Sequence, residues 1–295
     1  MIRAHFLFIL ALVFSQGLQA QNKAVENSLF WEVSGNGLAE PSYLFGTFHL
    51  LDNRFVDSLT NVVSKFQHSN TVVTEMLMDS SMYIKMMLAA QMKNASLDKL
   101  LSPEDYQQTA AWLKELAGYD LKMFNGFNPI TIQVLLISSL QQKYYPVNAT
   151  LVMDLYFQQM AKKANKKSIG LETFEEQIHA IYGQFTYERQ AELLMKFVRG
   201  KDKAFDDIVK MNKLYRQGNL TELEGLMSDQ EYDQKEREVL LDTRNKQWIS
   251  TLPELMHAQS TFVAVGALHL AGNNGLVNLM RKLGYTVKPL RLKLN

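Results

Sequence analysis

Short apolar segments, set between stretches with helical periodicity, constrain the fold of this chain more than any other feature. Each segment is rich in β-branched or aromatic residues, which is typical of strands covered on both faces. The strong segments are residues 43–49, 71–75 and 261–266, and the weaker ones are 30–33, 167–172 and 285–290. The sequence therefore predicts a set of buried strands, with 30–33 as an edge strand.

Amphipathic patterns and helix-start signals fill the chain between these strands. Ser102 and Pro103 form a typical helix start, with a capping side chain followed by proline at the first helical position. The order of elements predicts an α/β fold with a central β-sheet core, flanking helices and a large helical insertion at about residues 80–160. Because no linker rich in Pro, Gly or Ser divides the chain, we expect residues 21–295 to form a single domain.

The first twenty residues have the pattern of a secretory signal peptide. Arg3 precedes the apolar run 6–14, and small residues precede the polar start of the remaining chain at Gln21. The alternative is a membrane anchor, but this run is shorter than the roughly 20 residues that cross a bilayer. We expect residues 1–20 to be removed and the mature chain, without a membrane span, to be periplasmic or extracellular.

Composition excludes several functional classes. The chain has no cysteine, which excludes disulfides, zinc–thiolate sites, iron–sulfur clusters and thiol nucleophiles. The formal net charge is +1, and removal of residues 1–20 takes away one base, Arg3, and no acid, so a nucleic-acid partner is not expected. Any metal would be held by His, Asp, Glu, carbonyl groups or water.

Two histidines occupy equivalent positions at the end of a predicted strand, each three residues after a glycine. They are His49, after Gly46, and His269, after Gly266. Two other predicted strands end in Glu75 and Glu172. Ligands bind at the carboxyl ends of strands in α/β sheets, so these four side chains are expected to meet in one cleft.

Two imidazoles and two carboxylates suit a divalent metal with N and O ligands, and they equally suit metal-free acid–base chemistry with a histidine as the base. Each residue alone has an ordinary structural explanation, but the matched pair favours function. A shared metal requires the two histidines to lie closer together than about 10–12 Å, because metal–ligand bonds are about 2 Å long.

The motifs resemble the TraB/GumN family in their order and spacing. The resemblance runs from about residue 29 to 291 and rests on residues 43–52, 71–75, 153–154, 167–177, 244–245, 265–276 and 283–287. The family is similar to the Tiki metalloproteases of animals, which depend on a divalent metal such as manganese or cobalt. It is also related to the wider erythromycin esterase and ChaN-like superfamily, whose members use strand-end His and Glu for hydrolysis or bind haem.

The resemblance implies a metal-dependent hydrolase, peptidase-like, that acts on a peptide or other small substrate. By position, His49 and His269 with Glu75 or Glu172 would hold Mn, Co or Zn. The remaining glutamate would be the general base. Arg244 would hold a carboxylate or stabilise an oxyanion, with Asn245 to orient it.

Two alternatives stay open at the level of the sequence. One is a non-enzymatic envelope protein that binds haem or a polymer, with the methionine-rich residues 76–87 lining an apolar slot. The other is a metal-free hydrolase in which histidine and glutamate carry the acid–base chemistry.

Overall fold

The computed structural model describes residues 27–51, 53–79, 81–146, 151–228 and 232–294. The predicted signal peptide, residues 1–20, lies outside these residues. The described part of the chain is a mixed α/β fold built on one six-stranded sheet with flanking helices, as predicted. Its strands are β1 (Phe30–Ser34), β2 (Ser42–Thr47), β3 (Thr71–Thr74), β4 (Lys167–Gly170), β5 (Thr261–Gly266) and β6 (Thr286–Leu290).

The sheet is parallel where the site is expected and antiparallel at one side. Its strand order is β4-β3-β5-β2-β1-β6, and the first four strands in that order are mutually parallel. Strand β1 runs antiparallel to both β2 and β6. Gly46 pairs with Val265 across β2 and β5, so these two strands end almost level. The chain therefore leaves all four parallel strands at the same edge of the sheet.

Helices connect β2 to β3, β3 to β4, β4 to β5 and β5 to β6, and most of them lie in the two long stretches on either side of β4. The first group is α1 (Asn53–Asp57), α2 (Thr60–His68), α3 (Met82–Ala89), α4 (Leu97–Leu100), α5 (Pro103–Ala117), α6 (Pro129–Tyr144) and α7 (Met153–Lys163). The second group is α8 (Phe174–Ile178), α9 (Tyr187–Arg199), α10 (Lys201–Arg216), α11 (Leu220–Ser228), α12 (Gln234–Arg237), α13 (Thr243–Trp248), α14 (Leu252–Ala258) and α15 (Leu276–Lys282). None of the helices in the described stretches has both the length and the apolar character that a bilayer crossing requires.

The helical insertion at about residues 80–160 is present, but its packing extends beyond that range. Leu113 of α5 and Leu136 of α6 share a second hydrophobic core with Leu194 of α9 and Ile208 of α10. The sequence predicted amphipathic helices between the strands, but it gave no indication that α9 and α10 complete the core of the insertion.

An aromatic cluster fixes α7 against the sheet. Phe157 of α7 lies 5.5 Å from Phe45 and 5.2 Å from Phe262, measured between ring centroids. Phe66 of α2 packs 5.8 Å from Phe157. All four rings are buried, and truncation of one such phenylalanine typically costs about 3–5 kcal/mol. The start of α7, which carries Asp154, is therefore held rigidly at the edge of the sheet where β2 ends.

Candidate active site

The two Gly-x-x-His segments lie side by side because β2 and β5 are neighbours. Neither Gly46 nor Gly266 adopts a positive φ, so the need for glycine comes from close packing. A Cβ atom on Gly46 would lie 2.8 Å from the Cα of Ala267, which is closer than real Cβ contacts come. The first glycine thus lets the two segments touch.

Gly266 is the point around which the predicted residues gather. A Cβ atom there would lie 3.0 Å from Glu75 Oε1, 3.6 Å from His269 Cδ2 and 3.7 Å from His49 Nε2. These two ring atoms are therefore at most about 7 Å apart, within the span that one shared ion would allow. The structure brings both histidines and Glu75 together around one small space.

His269 is buried and its ring is held in one tautomer. The Asn245 side-chain nitrogen donates to the carbonyl oxygens of His269 (3.2 Å) and Asn274 (2.9 Å), which assigns Asn245 Oδ1 as an acceptor. That oxygen lies 2.8 Å from His269 Nδ1, so Nδ1 carries the proton and Nε2 carries the lone pair. Burial lowers the pKa of His269 to about 3, and the ring is neutral at pH 7.

His49 faces solvent and is oriented by Asp154. Its side chain is 64% exposed, and its Nδ1 lies 2.8 Å from Asp154 Oδ2. The Thr47 hydroxyl donates to the other oxygen of Asp154 at 2.8 Å, which fixes the carboxylate. The charge of Asp154 and its hydrogen bond to the ring raise the pKa of His49 to about 9.

Asp154 is the functional residue that the sequence analysis did not select. The structure places it in the first turn of α7, far from His49 in sequence. The only available signal was its position in the central block of the family resemblance, at residues 153–154. A carboxylate on the second nitrogen of a histidine is the arrangement usually found around metal ligands.

Glu75 is an ionised carboxylate with one oxygen directed at the shared space. Its Oε1 accepts from the backbone N–H of Gly266 at 2.7 Å and lies 3.8 Å from His269 Nε2. Its Oε2 accepts from Arg244 Nη2 at 2.7 Å. Burial works to raise the pKa of Glu75, but His269, Arg244 and His49 lower it to about 2. Because His269 is neutral at pH 7, Arg244 is the buried cation that balances Glu75 there.

Glu172 forms a bidentate ion pair with Arg244. Both of its carboxylate oxygens accept from the guanidinium, with Nη2–Oε1 at 2.6 Å and Nε–Oε2 at 2.9 Å. The Glu172 side chain is 2% exposed, and burial raises its pKa although Arg244 opposes the effect. The two glutamates therefore differ in placement, since only Glu75 has an oxygen facing the space beside the histidines.

Arg244 binds all the buried members of the cluster. Besides the two glutamates, its Nη1 donates to His269 Nε2 at 3.0 Å and to the carbonyl oxygen of Leu240 at 3.1 Å. Leu240 belongs to a π-helical turn, Glu238–Asp242, directly before α13. The ring of Trp248, one turn further along α13, lies 4.8 Å from the guanidinium carbon. These contacts fix the arginine from several sides.

In the described residues, no three His, Asp or Glu side chains are close enough together to hold a metal ion as they stand. The hydrogen bond from Arg244 to His269 Nε2 also uses the lone pair that a metal would need. The donor types nevertheless fit a divalent ion. Both histidines have a partner on Nδ1, which leaves Nε2 as the ligand atom, and Glu75 supplies a carboxylate beside them.

The other described histidines lie outside this cluster. His68 contacts the carbonyl oxygen of Ser64 in its own helix, His179 contacts Gln184, and His257 contacts the Tyr285 hydroxyl. The His269 ring contacts Arg244, Asn245 and the ring of Trp248.

Comparison with known proteins agrees with this arrangement of motifs. The profile of the TraB/PrgY/gumN family matches residues 29–289. Metalloprotease TIKI1 of Xenopus tropicalis is 24% identical over 314 residues, covering 88% of this chain and 61% of that protein. Metalloprotease TIKI2 of Danio rerio is 24% identical over 315 residues, covering 89% and 61%. The chain thus spans about three fifths of the length of these curated relatives. No solved structure matched the chain significantly.

Proposed function

Because the chain belongs to the TraB/PrgY/gumN family, we propose that it is an exported, metal-dependent hydrolase that cleaves peptide bonds. The observation that carries this proposal is the grouping of His49, His269 and Glu75 around the empty side-chain position of Gly266. The TIKI relatives are named metalloproteases, which supports the reaction class. The signal-peptide pattern of residues 1–20 supports export.

We assign His49 Nε2, His269 Nε2 and a Glu75 oxygen as the ligands of a divalent cation such as Mn²⁺, Co²⁺ or Zn²⁺. A cation held there would polarise a substrate carbonyl and lower the pKa of a bound water towards about 7. Two nitrogens and one carboxylate oxygen form a ligand set that leaves further positions open for water and substrate.

The protein's other residues orient these groups. Asp154 holds the His49 ring through Nδ1, and Asn245 does the same for His269. Glu172 binds two nitrogens of Arg244 and so keeps the guanidinium beside the ligands. In this assignment Arg244 donates to the negative charge that develops on the carbonyl oxygen, which is the largest contribution that a fixed cation can make to acyl transfer.

Metal content and cleavage, measured on the same samples, test this proposal. The full chain and the double variant His49→Ala/His269→Ala would be purified without chelators and analysed for metal. Cleavage of a peptide library would be followed with added Mn²⁺, Co²⁺ or Zn²⁺. His68→Ala/His179→Ala is the matched control, because both of those rings lie outside the cluster.

We expect close to one metal per chain in the wild type and the control, no metal in the double variant, and cleavage only where metal is present. Equal metal content and equal cleavage in the double variant would contradict the assignment.

One observation favours a second candidate, a metal-free hydrolase with His49 as the base. The Asp154 carboxylate on Nδ1 and the exposed ring resemble the carboxylate–imidazole pair of metal-independent hydrolases. With a pKa of about 9, His49 would act as a base mainly in alkaline solution. Cleavage that survives exhaustive removal of metal and increases up to about pH 9 would select this candidate.

A further inference from the structure

Arg244 and a metal ion need the same lone pair. The proton of His269 is on Nδ1, where it is donated to Asn245, so Nε2 has a single lone pair. Arg244 Nη1 takes that lone pair at 3.0 Å. The Nε2 atom cannot accept from Arg244 and ligate a metal at the same time.

The same guanidinium also neutralises the carboxylate assigned as a ligand. Arg244 Nη2 lies 2.7 Å from Glu75 Oε2, so one arginine contacts two of the three assigned ligands. The Arg244 side chain is 11% exposed and that of Glu75 is 9% exposed, so water screens this pair little. A divalent cation entering beside them would meet a positive charge already in place.

Arg244 can leave His269 without leaving the site. Its contacts with Glu172 run through Nε and Nη2, whereas the contact with His269 runs through Nη1. Release of the histidine nitrogen would also displace Nη1 from the carbonyl oxygen of Leu240, but it would keep the bidentate ion pair with Glu172. The released Nη1 would then face the space beside Gly266 that a substrate carbonyl would enter.

We propose that Arg244 is a built-in competitor of the metal, and that metal binding moves it from His269 to its working position towards substrate. This inference rests on the proposed metal-dependent function and adds its regulation. Metal affinity then depends on the free energy needed to break the hydrogen bond from Arg244 to His269 Nε2. In a molecule without metal, Arg244 stays on His269 and does not face the substrate.

Metal titration of Arg244→Gln and Arg244→Lys tests the exchange. The wild type and both variants would be titrated with Co²⁺, followed by its visible absorption, and with Mn²⁺, followed by calorimetry. Thermal unfolding with and without metal would be measured on the same samples. Arg189→Gln is the matched control, since Arg189 makes a similar bidentate pair with Glu236 in a different cluster.

We expect Arg244→Gln to bind metal at least tenfold more tightly than the wild type, and Arg189→Gln to bind as the wild type does. Without metal, Arg244→Gln should unfold at a lower temperature, because Glu75 and Glu172 lose their partner. Metal should then raise its unfolding temperature more than that of the wild type. Arg244→Lys keeps the positive charge but cannot make the bidentate contact of a guanidinium. We expect it to bind metal with an affinity between those of the wild type and Arg244→Gln, so it tests the exchange even if the Gln variant does not fold.

Equal or weaker metal binding by folded Arg244 variants would overturn the exchange and leave the proposed metal site intact. Absence of metal binding in the wild type and in every variant would refute the proposed function and the exchange together. Binding in the Arg244 variants alone would support the competition between Arg244 and the metal, but it would contradict the proposed metal-dependent function of the wild type.

Discussion

Gly266→Ala is the most informative single substitution, because it should separate metal binding from folding. The backbone at Gly266 has φ −48° and ψ 134°, which an L-residue adopts without strain. The added methyl would meet Glu75 Oε1 at 3.0 Å, so that side chain must yield by a few tenths of an ångström. Moderate overpacking of this kind destabilises a fold by about 1–3 kcal/mol. Replacing glycine also restricts the unfolded chain, which stabilises the folded state by about 0.4–1 kcal/mol.

The net destabilisation should therefore lie between about 0 and 2.6 kcal/mol, and the variant should fold. Metal binding should suffer much more, because the methyl would lie 3.6 Å from His269 Cδ2 and 3.7 Å from His49 Nε2, within the space that the ion would share. We expect the dissociation constant for Co²⁺ to rise at least about 100-fold, the upper end of what a change beside a metal ligand usually costs.

The assay is calorimetric titration with metal, beside urea unfolding of the same preparation. Gly126→Ala is the control, because a Cβ atom there would meet nothing within 4 Å and its φ is not positive. A folded Gly266→Ala protein that binds Co²⁺ within about twofold of the wild type would refute the placement of the metal beside this glycine.

Three further predictions follow from the same contacts. Asp154→Asn should lower the pKa of His49 from about 9 towards 6.5, read by NMR titration, and reduce kcat/KM by about 10–100-fold; an unchanged pKa would contradict the pairing. Because the pKa of His269 is lowered to about 3, the unfolded chain takes up that proton first as the pH falls, so the contribution of this group to stability is complete above pH 6.5. As the pH falls below 6.5, the free energy of unfolding from this group should decline by up to about 1.4 kcal/mol per pH unit, measured by urea unfolding. His269→Gln should lack this component. Gly46→Ala should lose about 1–3 kcal/mol or more, since the methyl would press on the backbone of Ala267; an unchanged urea midpoint would refute the close packing.

The strands were predictable because their signal is local. Buried parallel strands read as short apolar runs, and all six predicted runs coincide with β1 to β6. The grouping of residues at strand ends followed from the same pattern, because parallel strands present their carboxyl ends at one edge. His49, His269 and Glu75 could thus be selected together from residue type and position alone.

The family resemblance implied that Arg244 would hold a carboxylate or stabilise an oxyanion, but the particular partners of these residues could not be predicted, because they are set by packing between distant segments. Asp154 reaches His49 only because the Phe157 side chain, one turn along α7, is locked into the aromatic cluster on the sheet. Arg244 meets Glu75 and Glu172 only because α13 lies across the strand ends. The sequence left the roles of the two glutamates open, and their different roles in our assignment depend on which of them faces the guanidinium with both oxygens.

The shared helical core was also beyond the reach of local patterns. Helices α5 and α6 precede β4 in the chain, whereas α9 and α10 follow it, yet the four contribute to one hydrophobic cluster. Amphipathic periodicity shows that each helix has an apolar face, but it does not show which other helix covers that face.

Anomalous X-ray scattering from crystals prepared with saturating Co²⁺ or Mn²⁺ would test the central claim most directly. We expect one strong peak beside Gly266, with His49 Nε2 and His269 Nε2 each about 2.0–2.2 Å away and Glu75 in contact. Arg244 Nη1 should no longer be hydrogen-bonded to His269 Nε2. A cluster without a peak, with Arg244 still donating to His269 Nε2 at saturating metal, would contradict it.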